Sequence, residues 1–127
     1  MGEVLERRGR RAEVKVARDE LVVFEFEMSA KMDGAGPHFH KRHVDSFYVL
    51  DGELEVTVDG ETVRAHSGDL VHVAPGVVHS FRNASSDQVR FLNVHAPGMR
   101  FDEYIRRMDA GEGPDPEQYD SFITLAG

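Results

Sequence analysis

The sequence predicts an all-β protein, a double-sheet jelly roll of short antiparallel strands followed by one C-terminal α-helix. Three observations carry that prediction. Apolar and polar residues alternate with a period of two from residue 13 to residue 95, as half-buried strands require. Turn signals break the alternation at short intervals, Asp59-Gly60 being the sharpest, because that pair suits the two-residue turn of a β-hairpin. After Pro97-Gly98 the apolar period lengthens to that of a helix.

Val14 and Val16, then Val22, Phe24, Phe26 and Met28, mark the inward faces of the first strands. The stretch from Ser29 to Pro37, closing in Gly34-Ala35-Gly36-Pro37, reads as a loop that delivers the chain to His38. Further strands are predicted over 38–41, 46–50, 54–58, 62–66, 70–74, 78–82 and 88–95. Many short strands at this spacing fold most economically as two packed sheets. Phe101, Tyr104, Ile105 and Met108 stand at helical spacing within 99–108 and predict an amphipathic helix packed on the barrel. Residues 111–116 punctuate the chain, and a short final helix is predicted over 117–125. The expectation is a single domain over 1–127, with a barrel core over about 12–96 and a helical segment over 97–127.

A chain of 127 residues, 40 % hydrophobic and 30 % charged, can bury a genuine core. It lacks the run of about 18 apolar residues that a membrane span needs, so no membrane partner is expected. Residues 1–8 lack the apolar stretch of a secretion signal, and a cytoplasmic location is the expectation. With 23 acidic against 15 basic residues the net charge is −8, which opposes binding to nucleic acid. The basic cluster Arg7, Arg8, Arg10 and Arg11 could bind phosphate, but it reads first as a solvated terminal arm. There is no cysteine, so any metal must be held by nitrogen and oxygen.

Chemistry concentrates in two segments. His38 and His40 are two apart, so on an extended strand their imidazoles project from one face close enough to share an ion. Asp45 follows five residues after His40. The second segment runs from Gly68-Asp69 through Pro75-Gly76 to His79 and Asn83. Together they resemble the two motifs of the cupin superfamily: Gly36, His38, His40, Asp45 and Gly52 fall on the first, and Gly68, Gly76, His79 and Asn83 on the second. The resemblance identifies the chain as a small single-domain cupin of the conserved-barrel type, with the double-stranded β-helix fold.

It also implies that His38, His40, His79 and Asp45 hold one divalent transition ion from among Mn, Fe, Ni, Co, Zn and Cu. The pattern departs from the family's at Asp45, where glutamate is usual, and at Ala74, where a turn proline is usual. The shorter stem of Asp45 leaves four arrangements open: direct coordination after a backbone shift, a bridging water, replacement by His43, and a purely orienting role. Asp45 is also the candidate catalytic base. His43 reads as a loop residue, His66, His72 and His95 lie outside the motifs, and His72 is a candidate for the cavity wall. Phe47 and Val49 share the parity of Asp45, and Phe81 that of His79, which suggests an apolar shell around a small organic ligand. Asp69 and Asn83 read as turn-forming residues.

Residues 93–108 resemble the tail of quercetin-dioxygenase-like cupins, so the leading expectation is a metal-dependent dioxygenase acting on a small organic molecule. Isomerase, cyclase or lyase chemistry on the same site is the alternative within enzymes. A non-catalytic binding or sensor module is the alternative outside them, weakened because no helix-turn-helix precedes the barrel. A third reading is a protein that has lost its metal. A homodimer is expected from the resemblance, with 13–16 as an edge strand that a partner can cover.

Overall fold

The computed structural model describes residues 2–124. Twelve strands form: β1 (Val4–Arg7), β2 (Arg10–Ala17), β3 (Val22–Met28), β4 (Met32–Asp33), β5 (His38–Phe39), β6 (Val44–Asp51), β7 (Glu53–Val58), β8 (Glu61–His66), β9 (Leu70–Val73), β10 (His79–Asn83), β11 (Val89–Ala96) and β12 (Phe122–Ile123). One sheet runs β1-β2-β3-β11-β6-β9. The other runs β12-β5-β10-β7-β8, with β4 also paired to β10. All their pairings are antiparallel. The two sheets face each other as a jelly roll, as the alternation predicts. Along β3 residues are buried and half-buried in turn, with Val22, Phe24, Phe26 and Met28 inward. These meet Phe47, Val49, Leu54, Val56 and Phe91 from neighbouring strands in one core.

The Asp59-Gly60 turn joins β7 to β8 with φ of 51° and 83°, the left-handed geometry that a two-residue hairpin turn demands and that glycine adopts without strain. At the β6–β7 junction Gly52 has φ of 89°, and a Cβ there would lie 2.6 Å from the Gln88 carbonyl oxygen. The motif glycine is thus required both by conformation and by the approach of a second backbone.

Helix α1 (Phe101–Asp109) forms where the 3.6-residue period begins and buries Phe101 and Ile105. Four details differ from the sequence reading. The arginine cluster is not a free arm: Arg7 and Arg10 face each other across the β1–β2 hairpin, although Arg7 and Arg8 are solvated as expected. Residues 13–16 are an edge only in part: β1 covers Glu13, and Val14 N donates to Glu3 O at 2.8 Å, whereas the β1 register ends before Lys15 and Val16. The loop before His38 contains the short strand β4. In place of a final helix there is a 3-10 turn over Pro116–Tyr119 followed by β12, and Leu125 lies outside the described residues. Local propensity failed there because Asp120 takes a left-handed φ of 59°, ending the turn so that Phe122 can pair with Phe39.

Arg10 reaches from β2 to the end of α1, donating from Nη2 and Nη1 to the two Asp109 carboxylate oxygens at 2.7 and 3.1 Å. Both side chains are largely buried. Removing one partner of a desolvated pair strands the other charge. Arg10→Met is therefore expected to lower unfolding stability by about 3 kcal/mol, and Arg10→Met with Asp109→Leu to restore most of it. Urea denaturation of both variants checks this, and equal losses in the two would refute it.

Candidate metal centre

His38 opens β5 and stands directly opposite His79 of β10 in the antiparallel register. His40 follows β5, and Asp45 points inward from β6. All four side chains are buried, and one donor atom from each lies within 4.8 Å of the others. The fold therefore brings together the four residues singled out in the sequence. The short stem of Asp45 does not hold it back, since Oδ2 lies 2.9 Å from His79 Nε2 and 3.3 Å from His40 Nε2.

Backbone carbonyls set the ring orientations. His38 Nδ1 donates to Gly36 O at 2.7 Å, His40 Nδ1 to Asp120 O at 2.9 Å, and His79 Nδ1 to Val77 O at 2.9 Å. A carbonyl only accepts, so each Nδ1 carries the hydrogen and a neutral ring turns the lone pair of Nε2 inward. His79 Nε2 and Asp45 Oδ2 then face each other as two acceptors at hydrogen-bond distance. Such a contact needs a positive charge to be favourable, either a proton on Nε2 that makes the ring a donor to Asp45 or a metal cation held between the two. The donor set therefore fits a divalent first-row ion, for which neutral imidazole and carboxylate are suitable ligands. Desolvation, reinforced by His79, pushes the His38 pKa down to about 4, which keeps that ring neutral at ordinary pH. Burial opposes ionisation of Asp45, but His95, His40 and His79 together hold its carboxyl well below the usual carboxylate range.

Behind Asp45 runs a polar chain that the sequence did not reveal. Asn93 Nδ2 donates to Asp45 Oδ1 at 2.6 Å and to Ser46 O at 3.2 Å. Its Oδ1 must then accept from His95 Nε2 at 2.7 Å. His95 Nδ1 in turn accepts from His43 Nε2 at 2.9 Å, and His43 Nδ1 meets Asp120 Oδ2 at 2.9 Å. Neutral rings cannot satisfy every link; one further proton, between His43 and Asp120, closes the chain. Desolvation and then His40 lower the His43 pKa against the pull of the Asp120 and Asp45 carboxylates, so that proton is held less firmly than on a free imidazole. Burial pushes the His95 pKa down to about 3, consistent with a neutral ring in the middle of the chain.

His43 does lie in the loop before β6, as read, but it is buried and its ring packs 3.9 Å from that of His40. His40, His43 and His95 form a second group whose donor atoms converge. Asp120 also accepts from the backbone nitrogens of Lys41 and Arg42 at 3.1 and 2.7 Å, fastening the whole loop. His72 is exposed and bonded to Ser46 Oγ, not on the cavity wall, and His66 is exposed beside Glu53. Asn83, as expected of a turn former, donates to the carbonyls of Met28, Ser29 and Asp87.

A cavity of about 380 Å³ opens above Asp45 and His38, walled by Phe26, Phe81, Phe101, Tyr104 and Ile105 among others. Phe81 is thus on the wall, while Phe47 and Val49 are fully buried behind it. Phe101 of α1 stacks on His95 at 3.9 Å with the planes 17° apart, sealing the polar chain under an aromatic lid. Such a chamber suits a small, largely apolar organic molecule with a few polar atoms directed at its base.

Residues 24–95 match the model of the cupin domain. Over 84 residues, 65 % of this chain, the sequence is 33 % identical to quercetin 2,3-dioxygenase of Bacillus subtilis (strain 168), a match that covers 24 % of that protein. Over 70 residues, 54 % of this chain, it is 33 % identical to the HTH-type transcriptional regulator SutR of Escherichia coli (strain K12), covering 39 % of it. The chain thus spans less than half the length of either relative. The solved structure of KdgF from Halomonas sp. is similar in fold, with a TM-score of 0.67, 22 % identity, and coverage of 75 % of this chain and 86 % of that one.

Asn93 bridges Asp45 Oδ1 and His95 Nε2, which stand 3.8 Å apart, so Asn93→Leu should remove the hydrogen-bond partner of two buried polar atoms and free the carboxylate to turn. The expected result is a loss of metal affinity of about 10- to 100-fold, read by competition with a chromogenic chelator while circular dichroism stays native. Unchanged affinity would show that the chain does not orient Asp45.

Proposed function

The chain belongs to the cupin family, and from that membership we propose that it is a small metal-dependent enzyme of dioxygenase type acting on an aromatic or enolisable organic substrate. One observation carries the reading: donor atoms of His38, His40, His79 and Asp45 converge, and two of the four, His38 and Asp45, open onto the floor of an apolar, aromatic-walled cavity. His38, His40, His79 and Asp45 are the proposed ligands of one divalent transition ion. When bound, such an ion supplies Lewis acidity and, if redox-active, a path for electrons between substrate and dioxygen.

The protein's own contribution follows from its side chains. Phe26, Phe81 and Phe101 exclude water, which strengthens every charge interaction on the cavity floor. Asp45 is the sole carboxylate on the cavity wall among the described residues. Its Oδ1 is engaged by Asn93, which leaves Oδ2 to take a proton from a substrate hydroxyl or an activated carbon beside it. The roles of ligand and base compete for that one oxygen, so proton transfer has to accompany a change in its contacts. Sequence identity to a quercetin 2,3-dioxygenase supports oxygenation over isomerase, cyclase or lyase chemistry.

A second reading, a non-catalytic sensor module, draws support from the identity to a transcriptional regulator. It retains the metal and consumes no oxygen. Among the described residues no helix is long and apolar enough to cross a membrane, and a small-molecule partner suits either reading.

The protein is expected to retain about one ion per chain after reconstitution with Mn, Fe, Ni, Co, Zn or Cu in turn, measured by elemental analysis. His40→Ala should abolish retention and His72→Ala should not. Metal below about a tenth of an ion per chain in every case would defeat the proposal. Oxygen uptake by the loaded protein against a panel of flavonols, catechols and diketones then separates enzyme from sensor, the enzyme reading requiring uptake that His40→Ala loses.

A further inference from the structure

The arginine cluster at the β1–β2 hairpin finds no use in the chemistry above, yet it is placed beside it. A second cavity, of about 360 Å³, adjoins the one over Asp45, and Phe26, Ala35, Phe81, Ile105 and Met108 line both. At its far side stand Arg7, Arg8 and Arg10. Arg10 is committed to Asp109. Arg7 and Arg8 are exposed and take part in no ion pair among the described residues. Asp33 also lines the cavity and forms no ion pair among the described residues, since Arg82, its register partner across β4 and β10, is held by Glu55 at 2.6 Å. The lining therefore carries two unpaired guanidiniums against one carboxylate, a net positive charge on a chain whose net charge is −8.

We propose that this second cavity is an anion-recognising extension of the substrate chamber: Arg7 and Arg8 receive a terminal carboxylate, sulfate or phosphate group of an elongated amphipathic ligand. Its apolar middle crosses the waist formed by Phe26, Phe81, Ile105 and Met108, and its polar head reaches the floor at Asp45. The inference rests on the chamber being the substrate site, and it adds a class, organic anions, to that reading. Two features argue for it together. The waist is lined by apolar side chains, which suits the hydrocarbon or aromatic part of a ligand. A guanidinium pair is the arrangement best matched to a planar or tetrahedral oxyanion, since each fork can donate two parallel hydrogen bonds. A solvated surface with no adjoining cavity would carry the same charges without the apolar path behind them.

Two fluorescent probes that share one aromatic body separate the possibilities: 1-anilinonaphthalene-8-sulfonate and its uncharged parent N-phenyl-1-naphthylamine. The experiment uses the full chain stripped of metal, so it stands whether or not the ion site is real. The sulfonate is expected to bind more tightly than the parent. Arg7→Ala with Arg8→Ala should weaken the sulfonate by about five- to tenfold and leave the parent within about twofold. Arg64→Ala, which removes a positive charge from β8 in the other sheet, should change neither. Met108→Trp, which fills the waist, should weaken both. Equal affinity for the two probes, equal losses in the double arginine variant, or indifference to Met108→Trp would each overturn the proposal.

Discussion

A buried carboxylate facing buried imidazole lone pairs is the constraint around which this molecule is arranged. Asp45 is 3 % exposed and His79 is 1 % exposed; neither can turn to water. A charge so placed is costly unless it is matched by opposite charge and by hydrogen bonds on every lone pair. Oδ1 has its partner in Asn93. Oδ2 faces His40 Nε2 and His79 Nε2, so it is satisfied only with a positive charge there, a ring proton or a bound cation. The rest of the floor follows from keeping the acceptors aimed at one point, which is the work of the three carbonyls of Gly36, Val77 and Asp120.

Those carbonyls come from separate parts of the chain, and this explains the role of the ends. Gly36 and Val77 lie two residues before their histidines, so the two motifs orient His38 and His79 locally. His40 depends on residue 120, eighty positions away. The C-terminal segment is therefore a structural component of the centre, held in place by β12 pairing to β5 and by α1 packing over the barrel. Arg10, from the other end, fastens α1 through Asp109. Among the described residues no buried side-chain nitrogen or oxygen lacks a hydrogen-bond partner, so a cut in this wiring at any link exposes a cost elsewhere.

What could be read from the sequence was what repeats or is local. Alternation placed Val22, Phe24, Phe26 and Met28 on the inner face because a pleated strand has no other way to bury them. Asp59-Gly60 announced its hairpin because few residue pairs tolerate left-handed backbone. His38, His40, Asp45 and His79 were legible through motif spacing. Asn93, His95 and Asp120 were not, since nothing in their neighbourhoods differs from an ordinary inward strand position or turn. Parity on β11 does put Asn93 and His95 on one face with Phe91, and two polar residues on an apolar face were the available signal. Asp120 offered none: its partners lie 77 to 80 residues away. The arginine cluster was legible only in part: Arg7 and Arg8 are solvated as charge density suggests, but the cluster folds as a hairpin that ties Arg10 to a helix.

The aromatic chamber gives the constraint its functional direction. An ion held by three imidazoles and one carboxylate in open water would exchange its remaining positions freely with solvent. Beneath Phe26, Phe81 and Phe101 the side chains of His38 and Asp45 face an apolar-walled space of a few hundred cubic ångströms, so what approached an ion held there would be selected by shape and by apolar contact before it met the charge. Phe101 ties the two functions together. By stacking on His95 it covers the polar chain that orients Asp45, and by its other face it limits the cavity in which a ligand must sit. A movement of α1 large enough to admit a bulky ligand would therefore also disturb the stacked imidazole, its Asn93 partner and the carboxylate beyond. Access to the centre and the geometry of the centre are coupled through a single aromatic ring.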